Sequence, residues 1–509
     1  MPDTTTYALT VPAAARETLT PFVPYPSHAA IQVDGVPVAS GTASGSLVVG
    51  TAPRAVSVIV TTEAGQSRTY DVVIRRSPAR SPTYLKASVA FANGNFGYAM
   101  TLSSSGSTLA VGGNSTSFSG DVHVFTRSDT QWSQQGHLKA SNAGAGDLFG
   151  GALALSADGS TLAVGAAGEA SNAIGVNGSQ TDDSAAGAGA VYVFTRVGTQ
   201  WTQQAYLKAS NTEAGDLFGS ALSLSADGST LAVAAPSESS NAKGVGGSQD
   251  DNSAPGAGAV YVFTRAGTKW SQQAYVKASN TNAQDAFGSG LALSADGSTL
   301  AVGAPLEAEA AGAVYVFTRV DTQWSEQAYV KGSNTRGGSE LGSALSLSAD
   351  GSTLAVGAWG ESSNAGAAYV FTRAGTEWSE KASIKASNAE AGDDFGVALS
   401  LSADGSTLAV GADGESSNAT SVDGNQDDNS APFAGAVYVF ARTGTQWSQQ
   451  SYVKASNTEA DDNFGVALSL SANGSTVAVG SLGEASNATG VGGNQDDNST
   501  PGAGAVYVY

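Results

Sequence analysis

A Phe-Gly pair recurs along the chain at Phe96-Gly97, Phe149-Gly150, Phe218-Gly219, Phe287-Gly288, Phe395-Gly396 and Phe464-Gly465, and Leu341-Gly342 fills the one gap. The seven starts are separated by 53, 69, 69, 54, 54 and 69 residues. A period above 50 residues marks a repeat architecture, in which each unit buries its apolar face against its neighbours. The third unit shows the content of a repeat. Residues 221–225 alternate small and apolar side chains, as a half-buried strand does. Asp227-Gly228 makes a tight turn, because glycine takes positive φ without steric cost. Residues 230–234 form a second strand and the apolar run 259–263 a third, covered on both faces. Residues 264–268 turn the chain. Trp270 to Ser279 is a fourth, more polar strand at the outer edge. Four strands per unit and seven units predict an all-β chain with a seven-bladed β-propeller of four-stranded blades. A parallel solenoid fits less well, since its coils are shorter and need no ring closure.

The last unit stops at Tyr509 after its third strand. The stretch Tyr84-Leu-Lys-Ala-Ser88, ahead of the first Phe-Gly, matches Tyr206-Leu-Lys-Ala-Ser210. Residues 84–88 are therefore expected to supply the outer strand of blade 7 and leave no open ring edge. Residues 1–78 lack the repeat. Five short strands are expected there, near 7–11, 30–33, 46–49, 56–61 and 70–74, with a hairpin turn at Asp34-Gly35. This segment reads as a small β-sandwich, and 79–509 as the propeller.

Composition bounds the partners. The chain carries 44 acidic against 23 basic residues, a formal charge of −21. Such a surface repels nucleic acid and anionic membranes. No apolar run is long enough to span a bilayer. There is no cysteine, hence no disulfide framework. No signal segment opens the chain, and an extracellular or surface location is expected through a signal already removed.

The Phe-Gly starts and Gly303-Ala304-Pro305 resemble the FG-GAP repeat of integrin α-subunit propellers. The Ser-Ala-Asp-Gly-Ser-Thr-Leu-Ala-Val-Gly-Ala pattern, seen around residues 292–304, is similar to bacterial FG-GAP proteins. The stretches 7–11, 33–37 and 69–75 look like a bacterial cadherin-like β-sandwich. The resemblance implies a recognition role. Integrin-type calcium loops are not carried over to the first turn, because Ala157 to Ser160 offers one carboxylate where calcium wants six to eight oxygens.

Loop position sorts the remaining candidates. Blade-to-blade and second-to-third loops emerge on one face, here called upper. The second-to-third loops carry Glu169, Glu238, Glu307, Glu361, Glu415 and Glu484 at one repeat position, and the lower turns carry arginines such as Arg196 and Arg265. The propeller is thus expected to be electrically polar along its axis. Four second-to-third loops are long and hold acidic pairs: Asp182-Asp183, Asp250-Asp251, Asp427-Asp428 and Asp496-Asp497. These pairs are candidate calcium ligands, or Asx turns held by local hydrogen bonds. The long loops of blades 2, 3, 6 and 7 are expected to form two walls around a trough. Trp359 and Phe118 lie in short loops of that trough, with Glu361 and Glu307. An aromatic among acids suits a sugar or a cationic side chain, or it packs under a neighbouring loop. Six tryptophans share one repeat position and are expected to pack outer strands onto their blades.

The three histidines, His28, His123 and His137, are far apart in sequence. A Ser-His-Asp site or a histidine zinc site has little to draw on, and no enzyme is expected. Paired carboxylates remain open to a glycosidase. The expected role is recognition or adhesion through a protein ligand on the acidic upper face. A carbohydrate-binding propeller and a structural part of an extracellular matrix are the alternatives.

Overall fold

The computed structural model describes residues 6–11, 30–38, 54–62, 66–76, 81–113 and 119–509. It divides into two compact units, Met1–Ser81 with Ser421–Asp423, and Pro82–Thr420 with Gly424–Tyr509.

The first unit contains one five-stranded sheet. Its strands are β1 (Thr6–Val11), β2 (Ala30–Val33), β3 (Val36–Val38), β4 (Arg54–Thr61) and β5 (Ser67–Arg76), in the order β1-β5-β4-β2-β3. Asp34 and Gly35 both have positive φ in the β2–β3 turn, as Asp-Gly hairpins require. Asp34 Oδ1 also accepts the Ser57 backbone N–H at 3.0 Å, which ties the turn to β4. The strand expected at 46–49 lies outside the described residues.

The second unit holds seven four-stranded antiparallel sheets. Blade 3 is typical, with strands Leu222–Leu224, Thr230–Ala235, Ala259–Ala266 and Lys269–Val276. Its first turn closes as the residues dictate. Gly228 has φ +69°, and Asp227 Oδ1 accepts Ser225 Oγ at 2.6 Å and the Ser229 N–H at 2.9 Å. Every residue of the second strand is buried, as an apolar run covered on both faces should be.

The ring closes in three ways. Each inner strand lies against the next, and that of blade 7, Phe464–Leu470, lies against that of blade 1, Phe96–Leu102. The lower turns are joined by a circle of backbone hydrogen bonds. Ser104 donates to Ala157, and the circle continues through Ala226, Ala295, Ala349, Ala403 and Ala472 back to Ser104, at 2.8–3.0 Å. Finally β6 (Thr83–Leu85) pairs with Ala505–Val508 as the outer strand of blade 7, Tyr84 opposite Tyr507.

The Phe-Gly motif now has a physical reason. Phe218 is fully buried and packs edge-on against Tyr261 and Phe263 of its own blade, with centroids 5.4 and 6.1 Å away. Gly219 has φ +94°, and a Cβ there would sit 2.6 Å from the Ala190 carbonyl of the preceding blade. The phenylalanine fills its blade, and the glycine lets two blades approach backbone to backbone.

The repeated tryptophans do more than hold their own outer strand. Trp270 pairs across the hairpin with Arg265, whose guanidinium lies 5.5 Å from the ring centroid. Trp270 Nε1 donates to Gln204 Oε1 of blade 2 at 3.1 Å. The same clamp joins Trp324 to Gln273 and Trp378 to Gln327. The lower-face arginines are thus half-buried on indoles and not free cations.

Candidate functional site

The repeated glutamates do not contribute to the upper surface as expected. Glu169, Glu238, Glu307, Glu361, Glu415 and Glu484 are all buried inside their blades. In blade 3, Glu238 accepts Lys277 Nζ at 2.8 Å, Tyr275 OH at 2.9 Å and Asn211 Nδ2 at 3.0 Å. Lysine and tyrosine come from the outer-strand segment and asparagine from the blade-to-blade loop, so Glu238 knits three segments together. Glu307 and Glu361, expected to face a ligand, instead serve this hub. Glu307 accepts from Tyr315, Tyr329 and Asn280, and Glu361 from Tyr369 and Lys385. With these acids buried and the arginines stacked, the groups named for an axial polarity are not free on either face.

In blades 2, 3 and 7 part of the long loop turns down onto the outer strand. Residues of the loop in blade 2 fold down over the outer strand: Asn177 N–H donates to Tyr206 O at 2.7 Å, and Lys208 N–H to Gly175 O at 2.8 Å. Val176, Val245 and Val491 form bridges to Leu207, Val276 and Leu85 in the same way. A short stretch of loop therefore covers an edge strand that would otherwise be open. It also seals the ion pair. Lys86, Lys208, Lys277 and Lys454, in the long-loop blades, are 0–1% exposed. Lys331 and Lys385, in the short-loop blades 4 and 5, are 32% and 41% exposed.

Within each acidic pair the structure separates the two residues. Asp182, Asp251, Asp428 and Asp497 occupy one register and each accepts the N–H of the serine two residues on, at 2.7–2.8 Å. Side-chain and backbone hydrogen bonds from those serines hold the four carboxyls below the usual range. Asp183 takes the register of Asn252, Asn429 and Asn498, and Asp250, Asp427 and Asp496 precede the turn. Asn252 donates to Glu213 at 2.6 Å. The loop thus carries the Asx-turn geometry, and among the described residues no three carboxylates of these loops converge.

A repeat protein shows its individual chemistry where the repeat breaks. The first break is on the upper rim of blades 5 and 6. The residue after the second strand is Asn114, Ala167, Pro236, Pro305 or Leu482 in other blades, but Trp359 in blade 5 and Asp413 in blade 6. The residue before the Phe-Gly is Asn95, Leu148, Leu217, Ala286 or Asn463 elsewhere, but Glu340 and Asp394 here. Trp359 is half-buried, and its indole lies close enough to Glu340 to work against the burial that raises that carboxyl. Asp394 and Asp413 each keep one buried oxygen without a hydrogen-bond partner. Burial, then the Asp394 charge, pushes Asp413 up to about 6. The neighbouring short loop, Glu361–Asn364, puts Ser362, Ser363 and Asn364 in left-handed φ, a costly conformation for non-glycine residues. Asp394 N–H donates to Asn364 O at 2.8 Å, which places this loop against the acidic rim. Phe118, the other expected aromatic, lies outside the described residues.

A second break is on the outer side. Lys381 replaces the glutamine that elsewhere accepts the tryptophan of the next blade. Trp447 Nε1 is left buried without a partner, beside a cavity of 390 Å³ lined by Lys381, Lys385, Phe440 and Trp447. The third break was missed by sequence reasoning. In blade 1 the paired tyrosines are replaced by His123 and His137, which lie opposite each other on adjacent strands. Sequence distance hid them. The repeat itself could have found them, because His123 and His137 fall 69 residues before Tyr192 and Tyr206.

The family follows from comparison with known sequences. The profile of the FG-GAP repeat matches residues 132–194, 201–263, 270–317, 324–371 and 378–440, more than half of the chain. The chain belongs to the FG-GAP repeat family. Residues 1–77 match the cadherin-like β-sandwich domain. Both are typical of extracellular adhesion or recognition proteins, and no helix among the described residues is long and apolar enough to cross a membrane. No curated protein matches this FG-GAP chain. Among solved structures it is similar to hydrazine synthase of Kuenenia stuttgartiensis, with 13% identity over 81% of this chain and 98% of that one, at a TM-score of 0.47. It is also similar to the periplasmic gluconolactonase of Pseudomonas aeruginosa, with 17% identity over 79% and 93%, at 0.44. Sqt1 from Chaetomium thermophilum shares 14% over 84% and 90%, at 0.45.

Buried acids give this FG-GAP propeller an unusual pH response. Burial, with the charge of the nearby hub glutamate, raises Asp216 and Asp462 to about 7 and Asp393 to about 6. A carboxyl raised on folding favours the folded state when protonated, so its contribution is complete below the unfolded value near 4 and is lost as pH rises through 6–7. Asp227, Asp296 and Asp350 are burdened by burial, but serine hydrogen bonds outweigh it and hold them low, so their contribution is lost only in stronger acid. The melting temperature is therefore expected to rise by roughly 5 °C between pH 8 and pH 5 and fall again below pH 4. Calorimetry across that range checks it. A flat or rising curve from pH 5 to pH 8 would show that these aspartates are not held protonated.

Proposed function

We propose that this FG-GAP chain is a non-catalytic recognition module that works outside the cell or on its surface. It holds a protein ligand by a basic side chain at the upper rim of blades 5 and 6. The observation that carries this reading is the place where an aromatic and three carboxylates stand at positions that hold uncharged, non-aromatic residues in the other blades: Trp359, Glu340, Asp394 and Asp413. A lysine or arginine laid on the indole and reaching the unpartnered oxygens of Asp394 and Asp413 would gain cation–π and charge-assisted contacts together.

A sugar is the second reading, because an indole face beside carboxylates also suits a pyranose. The test is capture of surface proteins by the immobilised chain, run beside a glycan array, with Trp359→Ala and Asp413→Asn as variants. Trp359→Ala is expected to weaken capture at least tenfold, as buried aromatic anchors do. Asp413→Asn should weaken it and flatten its dependence on salt. Salt-insensitive glycan binding that Trp359→Ala abolishes would select the sugar. Unchanged capture by both variants would remove the rim from the function and leave a scaffold role.

A further inference from the structure

Blade 1 departs from every other blade in the same three registers. Asp121 stands where blade 2 has Ala190, and His123 and His137 stand where it has Tyr192 and Tyr206. Its second-to-third loop contains no glutamate, and Lys139, in the register of the buried lysines, is exposed. The hub that stabilises the other blades is absent, and a different cluster takes its place.

The geometry of that cluster comes from the strands. Asp121 and His123 are two residues apart on the third strand, Asp121–Ser128, and so project from one face. His137 on the fourth strand, Gln131–Leu138, is the cross-strand partner of His123. The two imidazoles stack with centroids 4.5 Å apart and 13° between planes. Both Nε2 atoms face Asp121 Oδ2, at 2.7 Å from His137 and 3.4 Å from His123. His123 is 1% exposed, and its Nε2 has no hydrogen-bond partner. Its other nitrogen, Nδ1, lies 3.2 Å from Gln134 Nε2. With the Gln134 amide turned so that its oxygen accepts from His123 Nδ1–H, the lone pair of the buried Nε2, which has no hydrogen-bond partner, is free to ligate a metal.

We propose that Asp121, His123 and His137 form a binding site for one divalent transition metal ion of the zinc, cobalt or nickel type. All three ligand atoms lie within 4.8 Å of one another. Ligands at about 2.0–2.1 Å from a tetrahedral ion are about 3.3 Å apart; His123 Nε2 to Asp121 Oδ2 at 3.4 Å fits that spacing, and the 2.7 Å contact of His137 would open to admit the ion. Two imidazoles and one carboxylate select such ions over calcium or magnesium, which prefer oxygen. His137 is 38% exposed, so water or a ligand side chain has access to a remaining position. The ion would tie the two outer strands of blade 1, the work that lysine and glutamate do in blades 2 and 3. This site is separate from the rim of blades 5 and 6 and does not depend on its function.

The test is zinc titration of the tag-free full chain by calorimetry, with the visible spectrum of the cobalt form as the signature of imidazole coordination. The variants are His137→Ala, whose side chain is partly exposed, and Asp121→Ala, which restores the residue of blade 2. The expected result is one zinc ion per chain, a cobalt band in the visible, and at least tenfold weaker binding in either variant. Zinc should raise the melting temperature of the wild type and not of the variants, each read against its own metal-free form, since His137→Ala also removes the 2.7 Å contact with Asp121 and the stack on His123. Absence of zinc uptake by the wild type would overturn the proposal. So would zinc binding that both variants retain, because the ion would then sit elsewhere, as on the acidic loops.

Discussion

Replacing Lys277 by alanine is expected to lower the stability of the propeller by about 3–5 kcal/mol, whereas Lys385→Ala costs less than about 1 kcal/mol. The two lysines occupy the same repeat register and face equivalent glutamates at 2.8 and 2.9 Å. Their covering differs most, although Ser383 also stands in blade 5 where blade 3 has Tyr275. The long loop of blade 3 seals Lys277 at 0% exposure, while the short loop of blade 5 leaves Lys385 at 41%. Burial disfavours the charge on Lys277, and the Glu238 carboxylate works against that loss. Removing the lysine strands Glu238 among apolar side chains with two neutral donors, Tyr275 and Asn211. Removing Lys385 leaves Glu361 at a site that water already reaches. Urea midpoints of the two variants measure the difference. The double variant Lys277→Met/Glu238→Gln should recover part of the loss, since it leaves no uncompensated charge. Equal costs for the two lysines would show that the loop does not control the strength of the pair.

Most of the fold is written in the repeat. Phe218-Gly219, the Asp227-Gly228 turn and the match of Tyr84–Ser88 to Tyr206–Ser210 act through local chemistry or through register, so one sequence suffices to read strands, blades and closure. Side-chain direction was not legible. Glu307 and Glu361 read as surface acids because they lie in loops. Nothing local in the sequence says that a lysine 24 residues on turns inward to meet them. The long loops read as walls for the same reason: their return onto the outer strand rests on backbone bonds such as Asn177 to Tyr206, which any residue with an N–H can make. His123 and His137 are the opposite case. The information was present, but only in comparison between blades, where two histidines replace two tyrosines. The acidic rim was legible in part. Trp359 breaks the pattern visibly, whereas Glu340, Asp394 and Asp413 vanish among many acids until the fold aligns them.

A chain that begins at Val89 is expected to lose most of its cooperative stability, while one that begins at Ser81 keeps it. The difference is a handful of residues that complete blade 7. Tyr84, Leu85 and Lys86 are 0–1% exposed. Burying one such large apolar side chain contributes about 1.5–3 kcal/mol. Lys86 Nζ bonds Glu484 at 2.6 Å and Tyr84 OH bonds the same carboxylate at 2.7 Å, across about 400 residues of chain. Without β6, Glu484 is a buried charge without its cation, and the strand Ala505–Val508 becomes an open edge that templates aggregation. Both costs fall at the only junction where the first and last parts of the ring meet, so the loss spreads to the inner-strand contact between Phe464–Leu470 and Phe96–Leu102. Melting curves and light scattering of the two chains measure the effect. A synthetic peptide covering residues 81–89, added in excess, should restore the melting temperature of the shorter chain by adding the missing strand in trans. If the chain from Val89 melts with the longer one, the ring is held by its inner strands and its circle of lower-turn hydrogen bonds, and the outer strand of blade 7 is a cover and not a lock.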